Sequence, residues 1–482
     1  MPVDTTHYQY DKYQPQWKRL RDVIEGQDVV HLAGDYYLPK LSGQDQHEYK
    51  AYVKRALLYG ATSRTLDGLS GMVFRVAPST ELPPGIVEFE NNITLDGLSL
   101  SGFAEQLIDD VLAVGRCGIL VDHPDTTGQD LSQADAEILN IRPFMKHYKT
   151  ESIINWKTQG VQNNQVLTEV RLSESVSVQD PEDEFSNELV EQIRVLDLFE
   201  NKYRQRIYRK DDKKKKWVQL GGDIFPLKNG VPLDKIPFYF VGVKNGSADV
   251  EKPPLIDLAD VNLSHYRTMA DLEHGAHFTA LPTAVVTGLS PVDEEDEGEA
   301  PEYRIGSATA WLFSNPDTDV KYLEFQGSGL SALEQRAKAK EEYMAFLGAK
   351  MLSPDKRTVE AAETAQIHRQ GENSVLASIS QSVSQSIEAA LIMFLEWRGT
   401  EGGEVRYQLN KDFIPVIMSA QDLTALVQTW QAGGIAFDDL VWNLKRGEII
   451  RDERQPEDLL SEIETENPFG EMPRNPIVDV EV

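Results

Sequence analysis

Cysteine is almost absent: Cys117 is the only one in 482 residues. A disulfide framework is excluded, and the chain suits a reducing cytoplasm. Positive charge is also scarce. Lys and Arg total 48 against 78 acids, giving a formal net charge of −30 and a pI near 4.7. A surface of that sign repels phosphate backbones, which disfavours tight sequence-specific DNA binding. No run of 18 apolar residues occurs, so no transmembrane helix is expected. The opening MPVDTTHYQYDKYQ lacks a basic n-region and an apolar h-region, so no secretory signal is expected. Neither G-x-x-x-x-G-K-[ST] nor H-E-x-x-H is present, which argues against a P-loop ATPase and a zincin.

What is present is enough apolar material, 40% of residues, to build packed cores. The length exceeds what one core normally holds, so roughly two to four structural units are expected. The stretch PPLIDLADVNLSHYRTMADLEHGAHF, 253–278, carries three of the nine histidines. Pro253 and Pro254 suit a helix start. Leu255, Leu258, Asn262, His265 or Tyr266, Met269, Leu272 and Ala276 then alternate by three and four, the seam of a helix packed lengthwise.

A second rod, GLSALEQRAKAKEEYMAFLGAKML, spans 329–352, with Leu330, Leu333, Ala337, Met344, Leu347 and Met351 in heptad register. Ser331 with Glu334 predicts a capping box at its start. Between the rods, PTAVVTGL (282–289), EYRIGSATAWLF (302–313) and DVKYLEF (319–325) read as strands, and DEEDEGE (293–299) as a solvated turn. An antiparallel stalk bearing a small β tip is the simplest geometry, because an insert of that length needs a subdomain to fill it.

Candidate chemistry is thin. His274 and His277 share a helix face and could donate two imidazoles to a metal, but no cysteine lies near; surface or interface histidines are the competing reading. A Cys117–His123 nucleophilic pair is conceivable, yet the two sit at opposite ends of an expected buried strand, where Asp122-His123-Pro124 simply turns the chain. Gly68 and Gly71 in DGLSG have no following phosphate-cradle pattern. Lys213 to Lys216 resemble a DNA grip but fall between two strand-like stretches, which favours a solvated hairpin turn.

Elsewhere, 14–26 and 45–74 read as helical, and Phe103, Leu107, Val111 and Val114 mark one face of another helix. Residues 140–252 read as short strands alternating with polar loops, with the acidic SESVSVQDPEDEFSNE (173–188) as an excursion. A long helix is expected over about 358–397, with Leu376, Ile379, Val383, Ile387, Leu391 and Phe394 on its apolar face and a kink at Gly371. Residues 420–451 read as two helices joined at Gly433-Gly434, followed by a frayed acidic tail.

Several motifs in order resemble the portal protein, or head-to-tail connector, of tailed bacteriophages. They are YLP (37–39), RTLDGLSGMVFR (64–75), GRCGILVDHP (115–124), IPF (236–238), LIDLADVN (255–262), GENSVLASI (371–379) and FIPV (413–416). Each is moderately specific; their order spans nearly the whole chain.

The resemblance implies an α+β portal architecture assembled as a ring, usually of twelve. It implies a wing over 1–253, stem helices over 254–278 and 329–352, and a β-rich clip over 279–328. A tunnel loop follows over 353–360, then the long wing helix and a strand over 361–419, then a crown with an acidic tail over 420–482. It further implies a virion location at one capsid vertex, with assembly in host cytoplasm, and no enzymatic activity, cofactor or metal. Double-stranded DNA would pass through the ring without sequence specificity, for packaging and ejection. Terminase large subunit, a head-completion or adaptor protein at the clip, and the major capsid protein around the wing are the implied partners, with no membrane.

Acidic walls would keep DNA sliding, while Lys350, Lys356 and Arg357 are candidates to touch phosphates. Leu255, Leu258, Met269, Leu272, Leu333, Met344 and Leu347 would pack the stem. Two alternatives stay open: another virion structural protein, such as a capsid or adaptor subunit, and a metal-dependent hydrolase.

Overall fold

The computed structural model describes residues 2–124, 135, 138–161, 164–180, 183–211, 216–228, 230–280, 283–287, 318–323, 328–351, 374–399, 403–411, 413, 420–447, 449–450, 454, 458–459 and 461–462. The described chain is α+β. It opens with α1 (Tyr8–Glu25), α2 (Gln27–Ala33), α3 (Gln46–Arg55) and α4 (Ala61–Val73). The helical stretch expected over 45–74 is built as two helices. Asp45 and Glu48 form a capping box at the start of α3, and the chain turns extended at Ala56 before α4 begins after Gly60. β1 (Ser79–Glu81) and the short α5 (Pro84–Val87) lead to α6 (Leu100–Val114). Ser99 caps α6 by accepting from the Gly102 N–H, and Gly115 ends it at φ 82°, a left-handed conformation that suits glycine.

The strands follow in order: β2 (Arg116–Asp122), β3 (Phe144–Lys149), β4 (Ile153–Val161), β5 (Asn164–Asp180), β6 (Asp183–Phe199), β7 (Lys202–Asp211), β8 (Lys216–Ile224), β9 (Leu227–Lys228), β10 (Val231–Pro232) and β11 (Phe238–Gly242). Strands β4 to β8 form an antiparallel meander, and β11-β2-β3 a second antiparallel sheet.

Two expectations need correction here. Strands in this region are not all short, and the excursion expected over 173–188 is built as strand: β5 and β6 are 17 residues each and pair with each other there, for example Ser175↔Glu191 and Gln179↔Asn187, beyond the last residues paired with β4 and β7. Ser173, Ser175 and Ser177 alternate with Glu174, Val176 and Val178. That is a strand's period of two, written with few apolar residues. The antiparallel pairing of β7 and β8, with Asp211 opposite Lys216, brackets the lysine run as a hairpin; residues 212–215 lie outside the described residues.

Helix α7 (Ile256–Ala280), the β12–β13 hairpin (Thr283–Thr287, Asp319–Leu323) and α8 (Ser328–Lys350) come next. Then come α9 (Val375–Arg398), β14 (Arg406–Gln408), α10 (Ala420–Gln431) and α11 (Phe437–Arg446). β14 returns to pair with β1. The kink expected at Gly371 and the strand expected over 302–313 lie outside the described residues.

The three-stranded sheet sits between helices and meander. On one face Cys117, Ile119 and Val121 are buried, with α6 and α9 packed against the sheet. The apolar face expected of α9 is fully buried, and so are Ser380, Ser382, Ser384 and Ser386. Two of the four hydroxyls find partners, whereas those of Ser380 and Ser382 have none among the described residues. Ser384 and Ser386 donate to carbonyls one turn back, and Ser384 also accepts the Leu409 N–H.

The other face of β2 meets the meander. Asp122 lies 3.2 Å from Arg194, which also reaches Glu174 at 3.3 Å. Lys146, Tyr148 and Gln192 complete the Glu174 shell. Burial alone would push the Glu174 carboxyl up, but Arg194 and Lys146 outweigh it and hold it at about 2. At the other end of β2, the Arg116 guanidinium lies between Trp156 and Phe240, 4.1 and 4.2 Å from their ring centroids. Burial brings it down to about 9, so it stays charged at neutral pH.

Two predictions follow from these contacts. A Cβ on Gly118 would lie 2.3 Å from Phe238 Cζ and 3.1 Å from Ile153 Cδ1. Gly118→Ala is expected to destabilise the fold by about 1–3 kcal/mol, read by chemical denaturation; an unchanged midpoint would contradict the packing described. Glu174 has a folded pKa of about 2 against an ordinary 4.5. Its stabilisation is therefore complete above the ordinary value and lost as pH falls through the folded one, on the order of 3 kcal/mol in all. Buried Asp122 is shifted upward and works in the opposite sense. Glu174→Gln should flatten the acid limb of the stability–pH curve below about pH 4.5.

Candidate functional site

The feature that stands out among the described residues is the antiparallel pair α7 and α8. Where 254–278 predicts a helix, α7 runs Ile256–Ala280; where 329–352 predicts one, α8 runs Ser328–Lys350. Ser331 lies inside α8, a turn from its start, so the expected capping box does not form there.

Helix α7 is held from two sides. Toward the N-terminal helices, the Asn262 amide donates to the Tyr59 carbonyl at 2.7 Å and accepts from the Thr62 N–H and hydroxyl at 3.2 and 2.9 Å. Asn262 and Thr62 are both fully buried. Tyr52 donates to Asp271 at 2.6 Å, and Arg267 to the Tyr37 carbonyl at 2.8 Å. Toward α8, Lys340 donates to the Ser264 carbonyl at 2.9 Å and the Thr268 hydroxyl at 2.6 Å, and His265 Nε2 lies 3.2 Å from Glu341. Burial lowers the pKa of both His265 and Lys340, and for His265 the Glu341 carboxylate only partly offsets it. The helices close tightly near Gly275, where a Cβ would lie 2.8 Å from Leu330 Cδ2.

The residues expected to pack the rods fall into two groups. Leu255, Leu258 and Met344 are buried, whereas Met269, Leu272, Leu333 and Leu347 are half-buried. Sequence periodicity missed that α7 is enclosed on several sides at once: Ala259, Leu263 and Ala270 are buried as well, and His265 and Tyr266, read as alternatives, are both buried. It also missed the outer face of α8. Tyr343 is 52% and Phe346 61% exposed, and their rings stack at 6.3 Å and 14°. The signal was present, since both aromatics fall off the heptad seam.

Lys350 is exposed at the end of α8; Lys356, Arg357 and the whole 353–360 segment lie outside the described residues. Helix α8 carries four cations, Arg336, Lys338, Lys340 and Lys350, against three acids, Glu334, Glu341 and Glu342.

The weaker candidates separate. Cys117 is fully buried with its Sγ 4.0 Å from the Leu107 carbonyl, and burial pushes its thiol well up. His123, at the other end of β2, contacts the Pro124 carbonyl at 2.8 Å and stacks on Trp397 at 6.0 Å. They do not form a nucleophile–base pair. His274 packs edge-on against Tyr52 at 5.1 Å, and burial lowers its pKa. No group of three metal-capable side chains occurs among the described residues, and none of the helices there is long and apolar enough to cross a membrane. Gly68 and Gly71 lie within α4.

A protein-family model described as "Domain of unknown function (DUF4055)" matches residues 254–398, which contain the helix pair and α9. No curated protein matches the chain. Among solved structures, it is similar to a chain of the neck of an empty GTA particle computed with C6 symmetry. The TM-score is 0.41 at 12% identity, covering 80% of this chain and 89% of that one. A chain of the neck of a native GTA particle computed with C12 symmetry gives 0.37 at 12% identity, covering 86% and 97%. A chain from the virion of a native gene transfer agent particle gives 0.36 at 11%, covering 87% and 98%.

Asn262 supplies a test of the α7 attachment. Asn262→Leu strands the Thr62 N–H and the Tyr59 carbonyl in a dry site, at about 1–3 kcal/mol for each unsatisfied group. Hydrogen exchange should then speed up in α7 and α8 before it does in β2. Uniform acceleration across the chain, or none, would show that the two helices are not held as a unit by this residue.

Proposed function

We propose that this chain is the subunit of a portal ring, a non-enzymatic conduit for double-stranded DNA at a capsid vertex. The carrying observation is the helix pair. At about 1.5 Å per residue each helix is a rod of roughly 35 Å, close to the depth of a small domain. Helix α7 is fastened to the body, while α8 is covered on one side and shows stacked Tyr343 and Phe346 on the other. Exposed aromatics on a long rod suit burial against a neighbour, and side-by-side repetition of one such contact closes into a ring.

On this reading α7 and α8 are the stem, and 1–253 with α9 form the wing. Residues 279–328, which include the β12–β13 hairpin, form the clip; 353–360 is the tunnel loop; 420–482 form the crown. Terminase and an adaptor would dock on the ring, with capsid protein around the wing. Lys350, Lys356 and Arg357 would touch phosphates without reading bases, because phosphate contacts carry no sequence information. The mixed charge of α8 fits a wall that neither grips nor strongly repels DNA.

Purified protein should give rings with an axial hole by negative-stain microscopy and a matching mass by light scattering. A strict monomer over a wide range of concentration and salt would overturn the proposal. Leu258→Asp should reduce ring yield, since an unpaired buried charge costs about 3–5 kcal/mol. Lys356→Ala with Arg357→Ala should leave rings intact but lower the amount of DNA packaged or retained; normal packaging would remove the loop from the DNA path.

A further inference from the structure

Two exposed apolar pairs flank the helix pair, one on each side. Tyr343 and Phe346 stand on the outer face of α8. Leu32, near the end of α2, is 90% exposed. Tyr36, in the tight turn Gly34–Tyr36 that follows, is 58% exposed and packs edge-on against Tyr37 at 4.7 Å.

Helix α7 separates them. Ser264, His265 and Thr268 meet Lys340 and Glu341 of α8. At roughly 100° per residue, Tyr266 and Arg267 point away from that side. There the Tyr266 ring lies 6.0 Å from His31, and Arg267 donates to the Tyr37 carbonyl at 2.8 Å. So α2 and its turn pack on the side of α7 that α8 does not cover. The two patches also stand at similar levels along α7. His265 meets Glu341, two residues before Tyr343, and Tyr266 meets His31, one residue before Leu32.

The patches carry opposite charge. Arg336, Ala339, Tyr343 and Phe346 recur by three and four along one exposed stripe of α8. Arg336 forms no ion pair with any described residue, and the residues one turn from it on α8 are not acidic. Glu342 borders the stripe, with Lys338 one turn before it. On the other side, exposed Asp28 lies one turn before Leu32 on α2 and forms no ion pair with any described residue. Exposed Asp35 stands next to Tyr36 and accepts from the Lys40 N–H at 2.9 Å.

We infer that Tyr343 and Phe346 of one copy pack on Leu32 and Tyr36 of the next, with Arg336 paired to Asp28 across the contact. The chain cannot close these patches on each other, because its own α7 stands between them. A second copy covers both and satisfies both charges. Since the patches lie on opposite sides of one helical layer, the contact is heterologous. It repeats in one direction and closes into a ring. The inference rests on the proposed reading that copies stand side by side, and it adds which surfaces meet.

The test uses full-length protein, in which Cys117 is buried, so introduced thiols report alone. Two differently tagged chains, one Ala339→Cys and one Asp35→Cys, are co-expressed and treated with a short bismaleimide. A mixed cross-linked dimer is expected. Within one chain the two positions are separated by two helix spacings, roughly 16–20 Å, beyond the reach of such a linker. Arg336→Glu beside Ala339→Cys should lower the mixed yield about fivefold, and Asp28→Arg on the other chain should restore it. Tyr343→Ser with Phe346→Ser should lower it roughly tenfold or more. All these side chains are exposed, so the changes leave the fold intact. Dimers between Ala339→Cys chains without a mixed product would set two α8 faces together and overturn the inference. A mixed yield indifferent to the serine pair would overturn it too. The unmodified chain is imaged and its mass measured alongside. Rings without the mixed dimer overturn this contact and keep the portal reading. A mixed dimer from a chain that forms no ring keeps the contact and removes the ring, and the absence of both overturns both.

Discussion

Much of the structure depends on one buried amide. Asn262 binds Tyr59 and Thr62 in the interior, so α7 cannot slide along or rotate against the N-terminal helices without stranding buried polar groups. With α7 fixed, Ser264, Thr268 and His265 point at Lys340 and Glu341 and set the register of α8. The chain then spends its apolar side chains on α7 and leaves the far side of α8, with Tyr343 and Phe346, for something else to cover. A strut fixed on one side and open on the other is what a laterally repeating assembly requires.

A second constraint joins the two sheets. Arg194 lies between Glu174 and Asp122, with Gln205, Gln192, Lys146 and Tyr148 around them. An ion cluster of this kind adds modestly to stability when complete and costs much when broken, because each charge is desolvated. Here it serves placement. It couples the middle of β5 and β6 to the end of β2.

A good part of the fold was legible from residue pattern. Pro253-Pro254, the three-four spacing after them and the matching pattern over 329–352 are local signals, and the helices found there differ from them by a few residues at each end. The β character of DVKYLEF and the lysine hairpin were legible for the same reason. The capping box at Ser331 was misread because a Ser-x-x-Glu spacing occurs as readily inside a helix as at its start. The strand pairing within 173–188 was not legible because its alternation lacks the apolar residues that usually announce a strand.

The amino-acid sequence by itself determined the charge, the poverty of cysteine, the helix and strand periods, and the absence of a legible catalytic motif, since these are properties of neighbours along the chain. Tertiary structure alone decided which faces are dry. It put the Ser face of α9 inside, enclosed α7 on several sides and left Tyr343 and Phe346 out. It kept Cys117 apart from His123. Those outcomes turn on contacts between residues tens to hundreds of positions apart, such as Asn262 with Thr62 and Asp122 with Arg194, and no local period encodes them.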